Sequence, residues 1–88
     1  MDSNKHNIIL ENRRKLTLDG IIDVKEFDDL SVALDTALGR LNIVGSELHI
    51  HTLCLEKGEV VIEGLISEII YEDEAAHTKK GLFGRMTR

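Results

Sequence analysis

Val60-Val61-Ile62-Glu63-Gly64 opens the longest strand signal of the chain, which continues through Leu65-Ile66-Ser67-Glu68-Ile69-Ile70-Tyr71. Aliphatic residues two positions apart, closed by a glycine, have the period of a pleated strand that leads into a bend. The same pattern recurs in Leu16-Thr17-Leu18-Asp19-Gly20 and Leu41-Asn42-Ile43-Val44-Gly45. The sequence therefore predicts an all-β fold. In the longest strand, simple alternation sends Val60, Ile62 and Ile66 to one face and Val61, Leu65, Ile69 and Tyr71 to the other. A strand that is apolar on both faces is covered twice, inside a sandwich or by another subunit. Val61, Leu65, Ile69 and Tyr71 are thus candidate interaction residues.

Working outward, Met1 to Asn7 is polar and reads as a flexible terminus, and Ile8-Ile9-Leu10 as the start of an edge strand. Alternation starts again at Lys15 and slips between Val24 and Phe27, as an extra residue in a β-bulge would produce. Val32 to Thr36 and Arg40 to Ile43 flank a short loop ending at Gly39, which predicts a hairpin. A helix over Leu30 to Leu41 is the competing reading, since Leu30, Leu34, Ala37, Leu38 and Leu41 share helical spacing. Val32, Thr36 and Gly39 favour the hairpin. A second slip falls at Thr52, and Glu56-Lys57-Gly58 forms a turn before the final strand. The repeated glycines are 25 and 19 residues apart, too uneven for a solenoid. The expectation is a small antiparallel meander of five to six strands forming a compact sheet or sandwich. Gly20, Gly39, Gly45, Gly58 and Gly64 are its structural turn positions. Residues 8–74 make a single β domain, between a flexible 1–7 and a basic amphipathic tail at 75–88.

Composition narrows the function. Eighty-eight residues hold one core, and with aromatics at 3% and no Trp that core is aliphatic. The single Cys54 cannot form an internal disulfide, which fits a reducing, cytoplasmic compartment. No export signal and no apolar run of spanning length occurs. The net charge of −5 divides unevenly, with residues 1–20 at +1, 21–74 at −10 and 75–88 at +4. An acidic body with little stacking surface is a poor nucleic-acid platform.

Catalytic chemistry is sparse. Glu47, His49 and His51 alternate with Leu48 and Ile50, and two imidazoles two residues apart on one strand face can chelate a metal. A tetrahedral centre needs a closed ligand set, which the sequence does not show, so an exposed strand face is preferred and no metal or cofactor is expected. Asp28-Asp29 and Glu72-Asp73-Glu74 read as solvated surface acids rather than a catalytic pair. Ser3, Ser31, Ser46 and Ser67 lack a nucleophile-elbow setting, and no phosphate-cradling loop is present. An enzyme is not expected.

The tail has its own character. Lys79, Lys80, Arg85 and Arg88 surround Leu82, Phe83 and Met86, a pattern suited to an anionic membrane surface or an acidic groove on another subunit. A disordered solubilising tail is the alternative.

The ordered motifs Asn12-Arg13-Arg14-Lys15, Phe27-Asp28, Leu34-Asp35-Thr36, Leu48-His49-Ile50, Leu53-Cys54-Leu55-Glu56-Lys57-Gly58 and Ile62-Glu63-Gly64 resemble the YabP/YqfC family of sporulation proteins, its YabP branch most closely. The resemblance extends to Tyr71 and covers about two-thirds of the chain. Lys79-Lys80-Gly81-Leu82-Phe83 echoes the family's basic end, while Met86-Thr87-Arg88 departs from its apolar finish. It implies a role in endospore formation, in the mother cell, during assembly of the spore outer layers, and it transfers no catalytic residues. The combined expectation is a non-enzymatic protein that forms a homo-oligomer or binds other sporulation proteins. A peripheral role at the forespore membrane through the tail, or a metal at Glu47, His49 and His51, are the alternatives.

Overall fold

The computed structural model describes residues 5–72. Six strands are present: β1 (Ile8–Glu11), β2 (Lys15–Leu18), β3 (Ile21–Phe27), β4 (Ser31–Thr36), β5 (Gly39–Cys54) and β6 (Glu59–Glu72). All pairings are antiparallel, in the order β1-β2-β6-β5-β4-β3, and the described residues contain no helix. The Leu30 to Leu41 segment is the hairpin, with only Ala37-Leu38 between β4 and β5. Its β-branched residues and the positive φ of Gly39 (130°) outweigh helical spacing. Thr36, the buried polar residue of the core, closes this turn by donating from Oγ1 to the Gly39 carbonyl (2.7 Å) and accepting the Leu38 N–H (3.0 Å).

The strands are sequential neighbours from β3 to β6, but β2 and β3 are not paired with each other, so the meander is in two pieces. β5 and β6 span 16 and 14 residues and change partners along their length. β4 lies against the first part of β5, up to Val44, and β2 against the first part of β6, Val60 to Glu63. The sheet consequently folds back over itself. One half contains β1, β2, the start of β6 and the end of β5; the other contains β3, β4, the start of β5 and the end of β6. Leu16, Leu18, Val60 and Ile62 from the first half meet Val32, Leu34, Leu41 and Ile43 from the second, all at 0–1% exposure in one cluster. Asp19-Gly20 carries the chain between halves.

The fold is produced at one place, where β5 and β6 bend together. Gly45 and Gly64 lie inside strands there, unlike Gly39 and Gly58 at chain reversals and Gly20 in the link between the halves. A methyl group at Gly45 would fall on the Leu65 carbonyl, and one at Gly64 would lie 2.5 Å from the Glu47 carbonyl oxygen. Glu47 itself has φ 54° and Gly64 φ 138°. Between the pairs Ser46↔Leu65 and His49↔Glu63, two β5 residues, Glu47 and Leu48, stand against the single Gly64 of β6, and this one-residue bulge turns Leu48 into the core.

Register also corrects the face assignment in β6. Between Val44↔Glu68 and Gly45↔Ile66 the extra residue Ser67 switches the alternation, so that Ile69 stands opposite Ile43 and Tyr71 opposite Leu41 on the core side. Ile69 packs against the core, whereas Val61 and Leu65 remain on the outer face. The expected slips at Val24–Phe27 and near Thr52 both occur, between Val24/Glu26 and Ile50/Thr52.

Gly64→Ala is expected to cost about 2–4 kcal/mol, because backbone blocks the new methyl and φ is unfavourable. Gly58→Ala, whose methyl would meet its nearest atom at 3.1 Å, should cost about 1 kcal/mol. Urea denaturation of both variants checks the difference; equal losses would contradict the close approach at the bend.

Candidate interaction surface

A folded-over sheet has more free edges than its strand order suggests. β1 and β3 are outermost, and the described pairings also leave one side of His49–Cys54 in β5 and of Ser67–Glu72 in β6 without a strand. Three of these edges are blunted. β3 carries two register shifts together with Asp23, Lys25 and Glu26; the β5 edge is shifted at His51; the β6 edge has the Ser67 bulge beside Glu68 and the His6 side chain against Tyr71. β1 pairs with β2 without a shift, and it presents Ile9 and Leu10 at 56% and 39% exposure. On the outer face, Ile9, Thr17, Val61 and Thr52 align across four strands and line a shallow hollow of about 230 Å³ with Asn7, Asp19 and Glu59. A second hollow at one end of the molecule collects Ile22, Ala37 and Leu55 beside Gly20 and Gly58.

Two turns clamp the bend. The β1–β2 turn holds Asn12 (φ 52°) and Arg13 (φ 57°), left-handed conformations that Asn tolerates and Arg does not favour. Arg13 is held there from two sides, its carbonyl accepting the Ile66 N–H (2.8 Å) and its Nε donating to the Ile66 carbonyl (3.0 Å). The Arg14 carbonyl accepts from Gly64 (3.1 Å). From the other side, the Leu30 carbonyl accepts from Gly45 (3.0 Å) and Asp29 from Leu48 (2.9 Å). Asp28 organises that second turn, its Oδ1 accepting the N–H groups of Leu30 and Ser31.

The residues weighed for metal binding do not converge. Glu47 and His49 share a shallow hollow with Arg14, Lys15 and Glu63, where His49 Nε2 lies 3.4 Å from Glu63, but His51 falls at a register shift and is not part of it. Among the described residues no group of three or more His, Cys, Asp or Glu is placed to hold a metal. Two cations also line that hollow. The Arg40 guanidinium is held above its ordinary pKa by its hydrogen bond to Asp35 and by the charge of that carboxylate, a half-exposed pair across β4 and β5.

Of the residues expected to form an apolar second face, Val61 joins the outer row, Leu65 lies beside Ser46, Ile69 belongs to the core, and Tyr71 is half exposed. The Tyr71 hydroxyl and His6 Nε2 are 2.6 Å apart, and His6 Nδ1 lies 2.7 Å from the Asp19 carbonyl. Lys5–Asn7 is therefore tied across Gly20. Lys79, Lys80, Leu82, Phe83 and Arg85, with the rest of the basic tail, lie outside the described residues. Ile9 and Leu10 were legible as an edge strand from Ile8-Ile9-Leu10, yet only the structure shows that this edge alone lacks a bulge.

These features define a small all-β domain with open strand edges and no gathered catalytic constellation among its described residues. Its sequence matches the YabP family over residues 2–78. It is also 32% identical over 83 residues to "Spore protein YabP" of Bacillus subtilis (strain 168), covering 93% of this chain and 83% of that protein. The chain belongs to the YabP family of sporulation proteins.

Arg13→Ala is expected to lose about 1–3 kcal/mol, from the side-chain hydrogen bond, and it keeps the left-handed backbone strain. Arg13→Gly loses the same bond but relaxes the backbone, so it should be the more stable variant by about 1 kcal/mol. Thermal melts that ranked the two in the opposite order would show that Arg13 is not held in this conformation.

Proposed function

We propose that this chain is a non-enzymatic sporulation protein that acts by self-association or by binding other sporulation proteins, in the mother cell, during assembly of the spore outer layers. Family membership supports the sporulation role, and the name of the B. subtilis relative, a spore protein, agrees with it. The observation that carries the mode of action is the unblunted β1 edge. An exposed apolar strand with free backbone donors and acceptors is a template for another strand, and three neighbouring edges carry devices against such pairing. Function through surfaces also fits an outer face that carries a row of Ile, Thr and Val across neighbouring strands.

The charge contrast between the body, −10 over residues 21–74, and the tail, +4 over 75–88, favours one second reading: recruitment to an anionic membrane such as the forespore's. Sedimentation velocity at about 100 µM, the range in which weak interfaces populate, is expected to show a dimer or larger assembly. A monomer throughout would contradict self-association. Removal of residues 79–88 should leave assembly intact, with little binding to anionic vesicles before or after. Strong vesicle binding lost on truncation would transfer the proposal to membrane recruitment.

A further inference from the structure

We propose that two copies of this chain pair through β1, antiparallel and centred on Ile9, so that their first half-sheets join into one continuous sheet; this deepens the self-association reading and rests on it.

The backbone dictates which groups are free. The Asp19 N–H donates to the Asn7 carbonyl (3.0 Å), while the Asn7 N–H turns to the Asp19 carboxylate; the first bond has the direction of a hydrogen-bonded pair in line with Ile8↔Leu18 and Ile9↔Thr17. Antiparallel ladders alternate, so Asn7, Ile9 and Glu11 direct their N–H and C=O groups toward β2. Ile8 and Leu10 direct theirs to the open edge.

A two-fold axis through an antiparallel pair makes residues of equal parity face each other, leaving Ile8, Ile9 or Leu10 at the centre. Ile8 would require Leu10 to pair with His6, which lies outside the strand with its ring held by Asp19 and Tyr71. Centring on Leu10 would set Glu11 against Ile9 and would require Asn12 to pair with Ile8. Asn12 is in the turn at φ 52°, unable to continue a strand, and a carboxylate would stand against an aliphatic side chain. Centring on Ile9 avoids both conflicts. Ile8 of each copy then meets Leu10 of the other, exchanging four ladder hydrogen bonds in all, and the two Ile9 side chains meet in the closely spaced, non-hydrogen-bonded position.

Charge agrees with this register. Glu11 stands opposite the neutral Asn7 of the second copy and diagonal to its Lys5, which is exposed and within reach of a long side chain, so no like charges oppose each other across the pair. The pairing also covers Ile9 and Leu10, the exposed aliphatics of this edge. A heterologous strand could add here by the same backbone geometry; a second copy supplies the matched sequence from the chain itself.

The register is tested with single cysteines in the full chain carrying Cys54→Ser. Non-hydrogen-bonded partners are about 4.5 Å apart at Cα, inside the range a disulfide spans, so mild oxidation of Ile9→Cys is expected to give a covalent dimer in high yield. Leu10→Cys, whose counterpart is Ile8, should cross-link at least about tenfold more slowly. Ile9→Lys, at a position exposed in the monomer, should weaken dimerisation at least about tenfold with an unchanged melting temperature for the monomer. Dimers that survive Ile9→Lys and do not cross-link at Ile9→Cys would overturn this register while leaving self-association in place. Monomers at all concentrations would overturn both, and would leave the β1 edge to a different protein. Faster cross-linking through Leu10→Cys would overturn the centring on Ile9.

Discussion

Two long strands, β5 and β6, must bend together without leaving backbone groups unpaired, and every other feature of the molecule follows from how that is done. At the bend their own ladder is interrupted, and the N–H groups of Gly45, Leu48, Gly64 and Ile66 turn instead to carbonyls in two flanking turns. Buried polar groups without partners are costly, so the turns are part of the core's construction rather than loose connections. Glycine is required where backbones come within contact of each other, and the left-handed Arg13 and Glu47 gather at the same corner. Backbone strain of this kind persists only where its surroundings over-determine it.

The bend also explains why an 88-residue chain with few aromatics can bury a core at all. A flat six-stranded sheet would leave one aliphatic face in water, whereas folding it over lets eleven apolar residues shield one another in one cluster. The same act creates free edges on each half. Bulges and charged residues blunt most of them, and the regular, apolar β1 is the edge left without such a device, the one on which the proposed association rests. Structure and proposed function are therefore linked through one constraint: a sheet that closes on itself by bending, not by barrel closure, keeps edges it must either protect or use.

Much of this was legible in the letters. Aliphatic pairs at period two located the strands, Gly39 and Gly58 located reversals, and the slip after Val24 announced a bulge. What the pattern could not separate was a glycine that ends a strand from one that lets two strands touch, because Gly20, Gly45 and Gly64 close identical local motifs. Parity was the other blind spot. A single inserted residue at Ser67 moves Ile69 and Tyr71 to the core side, and no local signal distinguishes that from uninterrupted alternation. The crossing at Asp19-Gly20 was equally hidden, since a two-residue link resembles a hairpin turn unless the partners of both strands are known. For the surface, Ile8-Ile9-Leu10 was readable as an edge, but its distinction depends on the state of the other edges, which is a property of the whole fold.

Amide hydrogen exchange followed residue by residue in the native protein addresses the bend most directly. If the two turns clamp it as described, the N–H groups of Gly45, Leu48, Gly64 and Ile66 exchange only through global unfolding, as slowly as that of Ile43 in the core. Exchange of those four groups at rates typical of frayed edges, with Ile43 still protected, would show that the bend opens on its own and would contradict the account.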